Sequence, residues 1–453
     1  MNSMATRSLD VRKEVITLLQ DLIRIDTTNP PGNEAEAAEF LARTLEGEGF
    51  ECMVLESAPG RGNLITRLEG SEEGPSLLLL SHLDVVAANP DEWSVNPYSG
   101  VIREGYVWGR GALDMKSMVA QEVMVMKLLK RGHIRLRGDV ILAATADEEM
   151  GGKAGVRWLL ENHPESIKAD YVINEGGGYS IPIRGRHIFT VQVAEKGVNW
   201  IRIRAGGRPG HGSVPGAADN AVLRMVEAIN RVGRHRSRIK AIPTARRFIN
   251  EVASQRGLPQ RILTSLLFNP ILADHILDLM KRREPGIAEG LRAMLRTTIA
   301  PTIIKGGVKE NVIPSECEAV LDCRTIPGQS NEDLIREIKG ILAGIDKLEI
   351  EPIQLDEPSE SPIDTPLFNK INETLKELVP NSSIIPFMST GGTDSRHLRR
   401  RGSICYGFHP LKTDMPLDEI QRMAHGVDER ISIENLVFGT EALYRLVVAF
   451  MTE

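Results

Sequence analysis

Two residues at the end of a run of four leucines, His82 and Asp84 in Leu77-Leu-Leu-Leu-Ser-His-Leu-Asp84, have the types and the spacing to do chemistry. Four leucines bounded upstream by Gly74-Pro75 predict a strand buried on both faces of a sheet. Residues two apart on an extended chain share a face, so the imidazole and the carboxylate point the same way. A neutral imidazole beside a carboxylate suits a metal ligand and the group that orients it. A core histidine next to a solvated aspartate has the same local pattern, so the pair alone does not decide. The same kind of ending recurs downstream. Val140 to Thr145 runs into Asp147-Glu148-Glu149 and Gly151-Gly152, and Tyr171 to Asn174 runs into Glu175 and Gly176-Gly-Gly178. The glycine-rich turn Gly109-Arg-Gly-Ala-Leu-Asp-Met-Lys-Ser117 carries Asp114 into a helix through Leu129. One such carboxylate merely solvates a loop, but four in one α/β half point to a shared crevice outside the carboxyl ends of the strands.

Composition limits what that crevice serves. The chain has 453 residues, 42% of them hydrophobic, enough for two or three domains. Lys+Arg 55 against Asp+Glu 61 leaves a net charge of −6, which argues against a nucleic-acid surface. No run of about 18 apolar residues predicts a membrane span, and Met1 to Arg12 lacks the apolar stretch of a signal peptide. Cys52, Cys317, Cys323 and Cys405 form no C-x-x-C pair, which fits a reduced, cytoplasmic protein. Any metal is then left to His, Asp and Glu.

The elements that must position these residues can be read from periodicity and breakers. Val11 to Ile25 predicts a helix ended by Thr27-Thr-Asn-Pro-Pro-Gly32, and Asn33 with Glu36 predicts a capping box opening a helix through Leu45. Met53 to Leu55 and Asn63 to Leu68 predict strands before the leucine strand. From Val191 the pattern changes. Val198 to Arg204 alternates like a strand with one wet face. A helix from about Ala217 to Val232, strands at Thr302 to Ile304 and Cys317 to Cys323, a helix from Asn331 to Ile345 and a strand from Leu348 to Ile353 follow. That β-α-β-β-α-β order is ferredoxin-like. It interrupts the first domain, so the reading is a catalytic domain at 1–192 and 357–453 with an inserted domain at 193–356. Residues 244–298 are an extra segment with helical aliphatic runs at Ile262 to Leu272 and His275 to Met280. Asp356 to Pro362 reads as the return linker. Helix, strand (Ser383 to Pro386), the Thr390-Gly-Gly-Thr-Asp394 turn, a strand at Ile404 to Gly407 and a helix from Ile433 to Met451 complete the chain.

With His425-Gly426 added, the motifs S-H-L-D-V-V, G-R-G-A-L-D-M-K-S, D-E-E-M-G-G, N-E-G-G-G, G-H-G-S-V-P, N-V-I-P, L-D-C-R and G-G-T-D-S-R occur in that order, and the resemblance they carry covers about residues 10 to 450. They resemble the di-zinc metallohydrolases that include aminoacylase-1, succinyl-diaminopimelate desuccinylase, acetylornithine deacetylase and carboxypeptidase G. The resemblance implies a zinc-peptidase-like α/β catalytic domain, its mixed sheet flanked by helices, with an inserted ferredoxin-like α+β lid and dimerisation domain. It implies two zinc ions, with cobalt or manganese as substitutes: His82 and Glu175 on one, Glu149 and His425 on the other, Asp114 bridging. Asp84 would hold the His82 imidazole from behind and Glu148 would be the general base. His211 would reach the partner subunit's site and stabilise the oxyanion. Asn311, Arg324 and the Gly391-Gly392-Thr393 turn would bind substrate. The chemistry agrees, since a hydroxide bridging ions roughly 3.5–4 Å apart is available near neutral pH, and its base cannot itself be a ligand. His397 and His409 match no role and read as structural. The implied activity is hydrolysis of N-acyl amino acids by a homodimer, with Glu175 rather than Asp as the family trait favouring it. A dipeptidase, a carboxypeptidase or a desuccinylase is the alternative, and a non-catalytic binding protein on the same fold a remote one. The length of residues 244–298 is similar to that of relatives acting on N-fatty-acyl amino acids.

Overall fold

The computed structural model describes residues 2–71, 73–256 and 264–452. They form two compact units: one drawn from Met1–Val193, Ser361–Pro386 and Thr393–Glu453, the other from Ala194–Glu360 and Phe387–Gly392.

In the first unit a mixed sheet runs in the order Cys52–Glu56, Gly62–Leu68, Val140–Thr145, Leu77–His82, Tyr171–Asn174, Ile404–Gly407, Arg186–Glu195. Leu77–His82 lies parallel to both of its neighbours, and Ile404–Gly407 is parallel to Tyr171–Asn174. All six residues of the leucine strand are buried, as are all six of Val140–Thr145. Each fully buried leucine is worth about 2 kcal/mol, so apolar content alone puts these strands at the centre. Their carboxyl ends then emerge together. The helix Lys116–Arg131 packs against Asn2–Arg24 and Ile433–Thr452 and against the leucine strand. It is tied down by Lys116, whose buried ammonium donates to the carbonyls of Leu22 (2.9 Å) and Ile25 (2.8 Å).

The first helix is longer than its periodicity predicts, beginning at Asn2. The expected capping box at Asn33 does not form: the Asn33 side chain donates to Glu36 (2.9 Å) and caps no backbone N–H of Glu34–Glu46. A small sheet of Ile102–Arg103, Tyr106–Trp108 and Arg430–Ser432, and a short helix Leu417–Met423, carried no signal strong enough to be predicted.

The second unit holds Gly197–Gly206, Ala221–Arg234, Thr298–Gly306, Glu316–Thr325, Asn331–Ile341 and Leu348–Gln354. Its four antiparallel strands run in the order Thr298–Gly306, Glu316–Thr325, Gly197–Gly206, Leu348–Gln354, the ferredoxin-like arrangement. Ile201, Ile203, Ala205, Ala319, Leu321 and Cys323 pack against Met225, Ala228, Leu334 and Ile338 of the helices. The first helix starts at Ala221 rather than Ala217, because Pro215–Ala217 forms a separate turn and the Asn220 side chain accepts from Val222 N–H (3.0 Å). The expected linker contains a short strand, Ser359–Glu360, paired with Ala194 and Glu195. In the extra segment the helices are Pro243–Arg256, Ala273–Lys281 and Pro285–Leu295. The helical run predicted from Ile262 begins outside the described residues. In its described part Thr264 and Ser265 are helical and lead into a tight turn, Leu266–Phe268, before Asn269 and Pro270.

Candidate metal centre

Five segments of the first unit, three of them at the carboxyl ends of Leu77–His82, Val140–Thr145 and Tyr171–Asn174, bring the sequence-predicted ligand candidates together. His82 Nε2 lies 3.2 Å from Asp114 Oδ1 and 3.8 Å from Glu175 Oε1, while His425 Nε2 lies 3.2 Å from both Asp114 Oδ2 and Glu149 Oε2. The result is two groups of three possible ligand atoms, His82–Asp114–Glu175 and Asp114–Glu149–His425, sharing one carboxylate. Within each group the atoms lie within 4.8 Å of one another.

Each ligand is aimed by its neighbours. His82 Nδ1 donates to the Asp84 carbonyl oxygen (2.9 Å) and sits 3.5 Å from its carboxylate. In the neutral ring this leaves Nε2, with its lone pair, facing Asp114 and Glu175. The Asp84 carboxylate accepts the backbone N–H of Glu148 (3.0 Å) and Glu149 (3.1 Å), so one aspartate aligns both His82 and the Glu148–Glu149 turn. Asp114 is held by a residue the sequence reading missed. Buried Glu429 accepts N–H from Gly111 (3.0 Å), Leu113 (2.7 Å) and Asp114 (2.9 Å), and Arg110 pairs with it at 2.8 Å. Asn29 and Arg61 were missed too, and Asp147 was named only as one of the acids that end Val140–Thr145. All three carry ordinary loop or strand-edge signals, and only their spatial neighbours reveal them.

Crowding of acids sets the electrostatics. Burial and the Asp114 charge push the Glu175 carboxyl up to about 8. Burial and the Glu175 charge raise Glu148 well above the carboxylate range. Burial raises Asp394 to about 7 against the pull of Arg396 and His82. The imidazoles respond oppositely. Hydrogen bonds to Asp114 and Glu149 lift His425 to about 10. Burial would lower His82, but hydrogen bonds to Asp114 and Asp84 outweigh it and raise it well above its usual value. Glu149 Oε1 is buried without a hydrogen-bond partner. Three carboxylates and two imidazoles converging around an unpaired buried oxygen form the donor set that one or two divalent cations require.

The remaining predicted residues are placed less uniformly. His211 and Asn311 sit side by side in the second unit, where Gly210–His211 pairs with Val312–Ile313 and Gly212 N–H donates to the Asn311 carbonyl (2.8 Å). His211 Nδ1 is 2.7 Å from the Ser213 hydroxyl. Both are exposed. Arg324 is gripped bidentately by Asp322 at 2.7 and 3.0 Å, so part of its fork is already used. Gly391 N–H donates to Ser389 Oγ (3.1 Å) and belongs with Gly392 to the second unit, whereas Thr393 begins a segment of the first. His397 and His409 are buried, and burial lowers them to about 2 and about 4, so both stay neutral.

Convergent His, Asp and Glu side chains at the carboxyl edge of a mixed α/β sheet, with a carboxyl beside them that belongs to neither ligand group, form a candidate metal centre. The family model for peptidase family M20/M25/M40 matches residues 78–449, and the chain belongs to that family. The N-fatty-acyl-amino acid synthase/hydrolase PM20D1 of Xenopus tropicalis is 27% identical over 445 residues, covering 93% of this chain and 83% of that protein. Aminoacylase-1A of Rattus norvegicus is 27% identical over 458 residues, covering 98% and 97%. Among solved structures, the M20 family metallo-carboxypeptidase Sso-CP2 of Sulfolobus solfataricus superposes with a TM-score of 0.74 at 19% identity, covering 96% of this chain and 99% of that one. The protein is a metal-dependent hydrolase acting on amides.

Proposed function

We propose that the protein is a dinuclear zinc hydrolase that cleaves the amide bond of N-acyl amino acids. The observation that carries this reading is the pair of ligand groups sharing Asp114, with Glu148 beside them and in neither. Its substrate class is supported by near full-length similarity to proteins named aminoacylase-1A and N-fatty-acyl-amino acid synthase/hydrolase. When bound, two divalent ions would polarise the scissile carbonyl and bring a water's pKa toward neutrality. Glu148 takes a proton from the attacking water and returns it to the departing amide nitrogen. Asp84 keeps the His82 ring and the Glu148 backbone in register while this happens. His211 and Asn311, adjacent on their ribbon, stabilise the oxyanion and hold the carbonyl. Arg324, with the Gly391-Gly392-Thr393 turn, binds the substrate α-carboxylate.

The working form is a homodimer built through the second unit, with His211 serving the partner's site. Leu223 and Val226 on the helix Ala221–Arg234, and Ile303 and Ile304 on the edge strand Thr298–Gly306, are exposed and support an interface there. All four cysteines are free, which supports a cytoplasmic placement. Among the described residues no helix is long and apolar enough to cross a membrane.

The test is metal analysis of the purified protein together with hydrolysis of a panel of N-acetyl, N-succinyl and long-chain N-acyl amino acids and dipeptides. Two equivalents of zinc and preference for N-acyl amino acids are expected. Preference for dipeptides or C-terminal residues would transfer the protein to the peptidase branch, and absence of bound metal would remove the dinuclear mechanism.

A further inference from the structure

The loop Thr27-Thr-Asn-Pro-Pro-Gly32 contributes none of the proposed ligands, yet it is pinned beside the exit of the leucine strand. Thr27 Oγ1 donates to the Leu83 carbonyl (2.6 Å), Val85 N–H to the Thr27 carbonyl (3.1 Å) and Asn29 N–H to the Val85 carbonyl (2.9 Å). From there the buried Asn29 amide donates to Asp84 Oδ2 at 2.8 Å and to Asp147 Oδ1 at 3.1 Å. These two carboxylates hold the turn of Glu148 and Glu149 from either side. Asp84 accepts both backbone N–H groups. Asp147 precedes the turn in a left-handed conformation (φ 71°) and accepts Ala154 N–H at 2.9 Å beyond it. Behind Asn29, Arg61 Nη2 donates to Asp147 Oδ1 and to Glu34 Oε1, both at 2.8 Å, and Nη1 to the Pro31 carbonyl (3.2 Å). A Cβ at Gly32 (φ +84°) would lie 2.6 Å from the guanidinium, so only glycine lets the loop close over it.

We propose that Asn29, backed by Arg61, is a positioning residue for the general base, joining Asp84 to Asp147 so that His82, Glu148 and Glu149 are held as one rigid piece. An amide is the fitting group because its nitrogen carries two hydrogens and no charge, and can serve two acceptors at once. Serine has one hydrogen to give, and aspartate would add a third carboxylate to the pair. This inference rests on the reading of Glu148 as the base.

The experiment is a double-mutant cycle on the zinc-loaded full-length chain. Asn29→Ala and Glu148→Gln are made singly and together, with kcat, KM, zinc retention against dipicolinate and near-UV circular dichroism as readouts. A misplacement of about 1 Å costs on the order of a hundredfold. Asn29→Ala should therefore lower kcat by about 30- to 100-fold, leave KM within about twofold, and release one zinc equivalent at about tenfold lower chelator. In the Glu148→Gln background the same change should cost less than about threefold, because its effect runs through the side chain already removed. A folded Asn29→Ala with kcat and zinc retention like wild type overturns the proposal, and so does an equal loss in both backgrounds. If Asn29→Ala does not fold, Arg61→Gln enters the same cycle, with a kcat loss of about tenfold and the same non-additivity expected; additive losses overturn it. A wild type that retains zinc but cleaves nothing in the panel sinks the amidase reading, while the zinc-retention arm still decides the positioning.

Discussion

Glu148 and Glu149 are adjacent and chemically identical, and the different roles proposed for them rest on where each carboxylate lies. Glu149 reaches His425 at 3.2 Å, within a ligand group, whereas Glu148 belongs to neither group, and burial and the Glu175 charge raise its carboxyl above the usual range. Glu148→Gln keeps size and backbone bonding but cannot accept a proton. Turnover should fall by about three orders of magnitude or more, with zinc content at the wild-type level by atomic absorption. Activity within a few-fold of wild type would take Glu148 out of the mechanism. The sequence named His82, Asp84, Asp114, Glu148, Glu149 and Glu175 as candidates from the polar turns that follow apolar runs or glycines, and His425 through the family resemblance alone. Asn29, Arg61 and Glu429 were not named, since they are placed by hydrogen bonds spanning 55 to 316 residues of sequence.

Among the elements, the turn carrying Asp114 depends most on a distant partner. Glu429, following the loop that bears His425, satisfies three N–H groups of that turn and the Arg110 guanidinium. Removing one partner of a buried, hydrogen-bonded ion pair costs about 3–5 kcal/mol. Glu429→Ala should therefore lower the urea midpoint clearly and weaken metal binding, although the residue touches no ligand atom; an unchanged midpoint would show the turn to be self-supporting. The extra helices of the second unit bury Ala245, Ile249, Leu267, Ile276, Leu277 and Leu295 and leave Ile271, Leu272 and Leu279 exposed. If such surface walls an acyl site, each methylene gained contributes up to about 0.8 kcal/mol, near fourfold. kcat/KM should rise from N-acetyl to N-octanoyl on a fixed amino acid. A flat series would confine these helices to packing among themselves.

For the whole molecule, the crowded acids make stability depend on metal and pH together. Folding raises Glu34 to about 7 and Glu175 to about 8 from 4.5, and Asp394 to about 7 from 3.8, in each case chiefly through burial. Hydrogen bonds to Asp114 and Glu149 raise His425 from 6.5 to about 10. The folded state thus holds more protons than the unfolded one. That contribution is complete below the unfolded values and is lost as pH climbs through the folded ones. Groups shifted the other way are fewer: His397 and His409 act only below 6.5, while Lys196 and Lys116, lowered by burial from 10.5 to about 7 and about 8, oppose the trend above those values. Chelator-treated protein should therefore melt at falling temperature from pH 6.5 to 8, and more steeply than zinc-loaded protein. A rising midpoint for the stripped protein would reverse the assigned signs. Assembly has its own test. If His211 serves the partner's site, mixing His211→Ala with Glu148→Gln should restore part of the activity once subunits exchange. Continued inactivity despite demonstrated exchange would return His211 to its own subunit.

Apolar runs and the breaks between them determined the buried parallel strands, the ferredoxin-like order of the second unit and most of the chemically active residues, because burial and turn chemistry act within a few positions of the chain. The family resemblance, carried by eight short motifs, then supplied pairings that no spacing could. Only the tertiary structure decided which oxygen faces which imidazole, that Asp322 already occupies Arg324, that Asn33 leaves its helix uncapped, and that Asn29 of a proline-rich loop bridges Asp84 and Asp147. These depend on directional bonds between segments far apart in sequence, and a hydrogen bond's geometry exists only once both partners have been placed.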